Sequence, residues 1–506
     1  MTTLAQPDDG AQSAGRWLVR AIVCLAQFMV VLDATVVNVA LPTLQRDLHF
    51  SAGSLQWVVN AYTLLFGGFL LLGGRAADLF GRRRLFLAGL VAFTAASMID
   101  GLAPSSGALI AARALQGLGA AMVSPAALAI VTTSFPDGRP RTRAMGVWAA
   151  IAVGGGAIGL LLGGILTEYA SWRWIFFVNV PVGVLAFALA LRLVPESRGS
   201  GVRRGFDLPG AAAITGGLVL LVFGIVKAQQ YGWASLRTVA LVGAAVLLIA
   251  AFVAIERRSS HPLVRLGIFR TRSLAAGNAV MMVVAGGMFA IFFFATLYVQ
   301  EILHLSPVQA GLGFLPLTAA IILASGAAQQ MIARVGVRAV AVTGMGTAAA
   351  GLLLLARTPT AGSYAADVLP GLVVMGFGLG LVFVPMTLIA TTNVADADAG
   401  LASGLFNTSQ QVGGALGLAI LSTLAADRTS SRLSGLGHAP SPAGIAGALV
   451  DGYHVAFMAG AGLMLIGAVV AVSQIRGSDV SAIDEAGPGD AGTADLQPAF
   501  ESDDGA

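Results

Sequence analysis

Long apolar runs separated by short polar segments recur along the whole chain. The first run begins near Trp17 and continues to Leu41. It is too long for a signal-peptide core, and no small-residue cleavage site leading into a soluble domain follows it. One bilayer crossing needs about 20 apolar residues. On that measure the first half holds spans near 17–41, 55–73, 85–103, 106–131, 144–167, 172–194 and 209–229. The second half holds spans near 238–256, 274–299, 309–328, 339–356, 367–390, 400–423 and 453–474, which makes fourteen. The pattern predicts an all-α integral membrane protein.

Basic residues orient these spans. Outer segments hold only Arg46, Arg173, Lys227, Arg237, Arg357, Arg428 and Arg432, and apart from Arg113 every other base falls on the inner side. Arg113 alone lies inside a span. An inner excess of bases places both termini in the cytoplasm and requires an even number of spans. The segment 1–16 is short and polar and reads as a cytoplasmic N-terminus. The segment 476–506 is acidic, rich in Gly and Ala, and has no base beyond Arg476. It cannot bury enough apolar surface to order itself and reads as a disordered cytoplasmic tail.

Composition sharpens this picture. The apolar fraction is 57%, charged residues make up 11%, and mean hydropathy is +0.83. A soluble chain would carry about a quarter of its residues as charges. The net charge of +4 does not mark a nucleic-acid binder, because the bases are spread over short loops. Cys24 is the single cysteine, which excludes a disulfide framework and a thiolate metal site. His49, His261, His304, His438 and His454 fall in loops or near span ends without metal-ligand spacing. No Gly-Lys-Ser nucleotide loop is visible. These absences argue against an enzyme, a metal site and direct use of ATP.

Charges at depth then carry the chemistry. Asp33 sits well inside the first span, between Phe28–Leu32 and Val36–Val37. A carboxylate there is costly unless it faces water or a partner. An Asn would supply the same helix–helix hydrogen bonds, so an ionisable group suggests proton or cation handling; a purely structural hydrogen bond is the alternative. Gln27 and Asn38 share one helical stripe, whereas Asp33 points more than about 100° away from it. Asp33 is the one acid read as deeply placed, and the others lie in loops, near span ends or in the tail. Arg113 has the same two readings, as a partner in proton transfer or as a brace on a backbone carbonyl.

The second and third spans are joined by Gly74-Arg-Ala-Ala-Asp78-Leu-Phe-Gly81-Arg82-Arg83-Arg84. Asp78 can accept charge-assisted hydrogen bonds from these arginines. The segment resembles the loop motif of the major facilitator superfamily, in which the equivalent Asp and Arg act as a cytoplasmic latch. Further resemblances follow in order. Leu32-Asp33-Ala-Thr35-Val-Val-Asn38-Val-Ala-Leu41-Pro42 resembles the first-span signature of the fourteen-span drug:proton antiporters of the QacA/EmrB type. Leu109-Ile-Ala-Ala-Arg113-Ala-Leu-Gln116-Gly117-Leu-Gly119 resembles their fourth-span motif, whose arginine is associated with proton transfer. Trp172-Arg173-Trp174-Ile-Phe-Phe-Val-Asn179-Val-Pro181 and Gly400–Gly414 are similar to further stretches of that subfamily.

The resemblance implies two six-helix bundles, 17–195 and 273–475, with two extra spans in the linker 196–272. It also implies a drug:proton antiporter of the bacterial inner membrane working by alternating access. The proton motive force would drive it, with no bound cofactor, and it would function as a monomer. Its partners would be protons, lipid and a small amphipathic drug or antibiotic, with no nucleic acid. A proton-coupled importer or exporter of one metabolite is the alternative, since the fold permits both directions. Asp33 and Arg113 are the expected proton-coupling pair, and Gly74, Asp78, Gly81 and Arg82 the expected gate. One departure stands in the fifth span, where Gly155, Gly159, Gly163 and Gly164 match a helix-bending motif but Leu160 replaces its proline. In the second half Ala333 stands where the latch Asp would be. The expected substrate cavity draws on Asn38, Gln116, Phe292, Tyr298, Gln300, Glu301, Asn407 and Gln411. An aromatic run beside a carboxylate suits a cationic or amphipathic drug, although lipid-facing packing, with Glu301 near the outer surface, is the favoured account of the Phe residues.

Overall fold

A computed structural model describes residues 9–134, 139–197, 207–391, 394, 398–436 and 441–476. Its long helices in the first half are α1 (Asp9–Asp47), α2 (Trp57–Phe80), α3 (Arg82–Leu102), α4 (Ser106–Ser134), α5 (Arg139–Tyr169) and α6 (Asn179–Leu193). Two helices follow, α7 (Leu208–Tyr231) and α8 (Leu236–Arg258). The second half holds α9 (Arg272–Leu297), α10 (Leu315–Val335), α11 (Val337–Leu355), α12 (Leu369–Thr391), α13 (Ala399–Gly435) and α14 (Pro442–Gln474). Among the described residues, 12 helices are long and apolar enough to cross a membrane. The expectation of fourteen spans therefore meets twelve helices on that test. Long helices α5 and α13 occupy the two remaining expected positions. Part of α13 is the polar run Asn407-Thr-Ser-Gln-Gln411, which lowers its hydropathy. The first helix also begins at Asp9, ahead of the expected boundary at residue 17. The expected tail lies outside the described residues except for Arg476.

Lipid is as apolar as leucine, so burial of apolar area does not by itself drive helices together in a bilayer. Close backbone approach does, and glycine supplies it. The carbonyl of Ala121 abuts Gly73, and that of Tyr62 abuts Gly117, so no side chain fits at either glycine. These contacts seat α2 against α4, and α4 also packs along α3. Helix α1 lies against α5 and α6. The second half repeats this plan: α12 packs on α10 and α11, and α9 on α13 and α14. The repeat extends to the turns. Gly81 at φ 109° links α2 to α3, and Gly336 at φ 82° links α10 to α11. Both reverse the chain in one residue through a conformation that L-side chains rarely adopt.

The inserted pair sits outside the two halves. Helix α7 packs on α2 and α13, bridging the seam between them, while α8 leans chiefly on α7. Only 11% of the most apolar window of α8 is buried within the protein. Its remaining surface is apolar, including Val239, Val246 and Leu247, as a lipid-facing helix requires. Trp233 in the turn between α7 and α8 donates from Nε1 to Asp427 of α13 at 3.2 Å.

Candidate functional site

Asp33 lies at mid-length of α1 and is 0% exposed. Its Oδ2 accepts from Arg113 Nη1 at 2.6 Å. Its Oδ1 accepts from Gln116 Nε2 and Asn179 Nδ2, each at 2.8 Å. A buried charge is tolerable only when paired and hydrogen-bonded, and this carboxylate meets both conditions. Arg113, 1% exposed, is equally engaged. Its Nη1 also reaches Gln116 Oε1 at 2.6 Å, and its Nε donates to Val58 O at 3.1 Å. The guanidinium lies 4.3 Å from the Tyr62 ring centroid, a cation–π distance. Arg113 thus both pairs with Asp33 and braces a carbonyl on α2.

Asn179, a neutral residue with no mark of function in the sequence, completes the cluster. It is buried, donates to Asp33, and also reaches Ser97 Oγ at 3.0 Å. Ser97 in turn donates to Phe176 O at 2.9 Å. The stretch Trp172–Asn179 therefore has a structural logic. Trp172 Nε1 donates to Asp47 Oδ2 at 2.9 Å at the end of α1. Arg173 Nη1 donates to Gly101 O and Ala103 O at 2.9 and 3.0 Å, satisfying carbonyls left open at the end of α3. Trp174 packs edge-on against Phe177. Together these residues form a cap over the end of the polar cluster, and the cap delivers Asn179 into it.

One reading needs correction. Asp33 is not the one deep acid, because Asp100 in the last turn of α3 is also 0% exposed. Proximity to a helix end made it look accessible. The cap folded over that end buries it.

The expected gate residues form a local cluster. Arg82 Nη2 and Asp78 Oδ1 pair at 3.1 Å, four residues apart across the α2–α3 turn. Arg82 N donates to Ser197 O at 2.9 Å. Glu196, which sequence reasoning passed over, accepts from Arg83 N at 3.3 Å and lies 3.6 Å from Arg84 Nε. The turn is thereby tied to the end of α6 in the same half. Gly81 is required by its φ and by the Glu196 carboxylate that lies against it. Gly74 touches only Pro125 at an ordinary distance, whereas the neighbouring Gly73 is the tightly packed position.

The glycines of α5 divide between two partners. Gly159 and Gly163 face Thr35 and the Val36 carbonyl on α1, and Gly155 faces Val31 and Phe28. Gly164 faces the other half: a Cβ there would lie 2.5 Å from Pro307 O. The contact is reciprocal, since a Cβ at Gly311 would lie 2.6 Å from Leu160 O. Leu160, in place of the motif's proline, is thus part of a backbone seam between α5 and the short helix Pro307–Gly313. Glu168 reinforces that seam by accepting from Ser306 Oγ at 2.5 Å and Val308 N at 2.8 Å. Its carboxylate sits where the helix dipole favours an anion. Gln300 Nε2 adds a bond across the halves to Val39 O at 2.9 Å. These links join the halves on the face that the base distribution assigns to the outside.

The expected cavity residues have separate partners. Gln116 belongs to the Asp33 cluster. Asn38 donates to Thr35 O on its own helix. Phe292 packs on Phe314 with centroids 5.9 Å apart. Tyr298 donates to Pro359 O at 2.6 Å, and Glu301 accepts from Tyr453 Oη at 2.9 Å. Glu301 is therefore a paired group between α9's end and α14. On α13, Asn407 is exposed and turned to Ser403 O, while Gln411 packs against Gly67 of α2.

Comparison with known proteins places this architecture. The profile of the Major Facilitator Superfamily matches residues 23–418. The puromycin resistance protein pur8 of Streptomyces alboniger is 43% identical over 490 residues, covering 96% of each chain. The cephamycin export protein CmcT of Amycolatopsis lactamdurans is 42% identical, covering 81% of this chain and 85% of its own. The lincomycin resistance protein of Streptomyces lincolnensis is 38% identical, covering 82% and 85%. Among solved structures, the POT family transporter PepTSo superposes with a TM-score of 0.66 at 15% identity, covering 91% of this chain and 97% of its own. An inward-facing, unoccupied bacterial homologue of the lysosomal transporter Spinster gives 0.64 at 16%, covering 94% and 98%. The helical repeat, the buried Asp33–Arg113 pair and the matched profile lead to one assignment: the chain belongs to the Major Facilitator Superfamily of membrane transporters.

Proposed function

We propose that this chain is a proton-coupled exporter of small antibiotic-like molecules, driven by the proton motive force and working as a monomer in a bacterial cell membrane with both termini in the cytoplasm. The observation that carries the coupling is Asp33, a carboxylate at mid-span whose ionised form is held by Arg113, Gln116 and Asn179. Protonation cancels its charge and releases Arg113 from the pair. A cluster with two such arrangements is the kind of element that couples proton binding to a change of state. Relatives whose names concern resistance to puromycin and lincomycin and export of cephamycin support the outward direction.

In the cycle proposed, the links between the halves at Gly164, Gly311 and Glu168 close the outer side, and substrate enters from within. The halves then rock, the drug leaves outward, and Asp33 takes a proton that it releases inside after the return. The Asp78–Arg82 turn stabilises the cytoplasmic ends of α2 and α3 in that motion. Substrates of this reading are neutral or singly cationic amphipathic drugs.

Everted membrane vesicles from a pump-deficient host, energised by a proton gradient and supplied with puromycin, test the proposal. Wild-type protein accumulates puromycin in the vesicles, and Asp33→Asn does not accumulate it against its gradient. Wild-type rates in Asp33→Asn overturn the coupling assignment. Proton-dependent accumulation by intact cells overturns the direction.

A further inference from the structure

Among the described residues, the two fully buried carboxyl groups of the N-terminal half are held in opposite ways. Asp33 accepts three hydrogen bonds, one from a guanidinium. Asp100 is as deeply buried, yet neither of its carboxyl oxygens has a hydrogen-bond partner among the described residues. An isolated carboxylate in an apolar surrounding is far costlier than the neutral acid. Burial is common to the two, and the hydrogen bonds that hold Asp33 are missing at Asp100.

The elements around Asp100 supply its charged neighbours. Helix α4 supplies Arg113 and α1 supplies Asp33, and the fields of both reach Asp100. From α2 comes the uncharged phenol of Tyr62, beneath the Arg113 guanidinium. Arg173 in the cap directs Nη1 to the carbonyls of Gly101 and Ala103 rather than to the carboxyl. Asn179 of α6 is committed to Asp33 and Ser97. One arginine, Arg113, thus serves an engaged carboxyl while a second buried carboxyl of the same half has no bond.

We propose that Asp100 and Asp33 are the two stations of a proton relay, with Arg113 as a counter-charge that each carboxylate takes in turn. Asp100 gives up its proton as Asp33 gains one: an O–H bond breaks on Asp100 and one forms on Asp33. Arg113 moves its ion pair from Asp33 to Asp100. The net charge of the three groups is the same before and after, so the step adds no uncompensated charge to the low-dielectric interior. Asp100 lies in the last turn of α3 on the outer side, and Asp33 lies at mid-span. Asp100 is accordingly the entry station for protons from outside and Asp33 the station that exchanges with the substrate cycle.

The relay rests on the proton-coupled reading of Asp33, and its test separates the two. Asp100→Asn keeps the size and neutral character of the protonated acid but cannot pass a proton. Proton-driven puromycin accumulation in everted vesicles is expected to fall about tenfold or more, while puromycin counterflow without a gradient stays close to wild type. In purified wild-type protein at neutral pH, infrared difference spectra are expected to show the carbonyl stretch of a protonated carboxyl that Asp100→Asn removes. Wild-type proton-driven accumulation in Asp100→Asn, with Asp33→Asn inactive, overturns the relay and leaves the coupling role of Asp33 standing. Loss of counterflow together with accumulation reduces Asp100 to a structural role and also overturns it, as does a protonated-carboxyl band that persists in Asp100→Asn. Normal coupling in Asp33→Asn instead removes the reading on which the relay rests.

Discussion

Asp33 Oδ2 and Arg113 Nη1 meet at 2.6 Å across 80 residues of sequence, both fully enclosed by protein. A buried ion pair costs desolvation on both sides, and removing one partner leaves the other charge uncompensated. Arg113→Ala should therefore destabilise the protein by about 3–5 kcal/mol. Asp33→Asn/Arg113→Ala should recover much of that loss without restoring transport. Thermal unfolding in detergent checks both. Equal midpoints for the single and double variants would show that the pair is not the source of the effect.

Asn179 is one of two neutral donors to Asp33 Oδ1. Asn179→Ala removes that bond and the bond to Ser97 Oγ together, at a cost of about 1–3 kcal/mol. Because the position acts through Asp33, the pH profile of transport should move while counterflow persists. An unchanged profile would confine Asn179 to holding the cap.

The seam formed by Gly164 and Gly311 leaves no room for a side chain on either. Overpacking of this kind costs about 1–3 kcal/mol, and it is felt only when the outer side is closed. Gly311→Val should therefore shift the population outward-open by roughly tenfold, since 1.4 kcal/mol is a factor of ten. Cys24 is the single native cysteine, so Cys24→Ser/Gln300→Cys gives a clean reporter. Its reaction with an impermeant maleimide from outside should accelerate in Gly311→Val. No acceleration would mean that the seam is not an outer gate.

Gly81 combines φ 109° with a carboxylate at van der Waals range. Gly81→Ala places a Cβ against Glu196 in a conformation that costs roughly 1–3 kcal/mol for an L-residue. Lower expression and a lower unfolding midpoint are expected, with Gly336→Ala, at the matching turn of the other half, showing a related loss. A neutral result at Gly81 would contradict the strained-turn account.

Much of this was legible in the residues alone. Helices announce themselves through apolar length, and the matching turns at Gly81 and Gly336 follow the two-bundle repeat. Asp33 and Arg113 stand out because a charge at mid-span is rare and expensive. Ser97 and Asn179 are neutral, and neutral polar residues in helices carry no such mark. Asp100 was hidden for a different reason: its place near a helix end suggests water, and only the fold of Trp172–Phe177 over that end excludes it. The outer seam was equally hidden, since the partners of Gly164 and Gly311, Pro307 and Leu160, are set by how two separate halves meet. Asn407 and Glu301 show the converse, polar groups noticed in sequence whose bonds turn out to be local or already satisfied.

The most direct test of Asp33 as the coupling group is proton release from purified protein in weakly buffered detergent solution on addition of puromycin. In wild-type protein equilibrated at mildly acidic pH, where a proton and the drug compete for the Asp33 cluster, drug binding should release protons in proportion to occupancy, and Asp33→Asn should bind puromycin without releasing any. Equal release from Asp33→Asn and wild type would contradict the account.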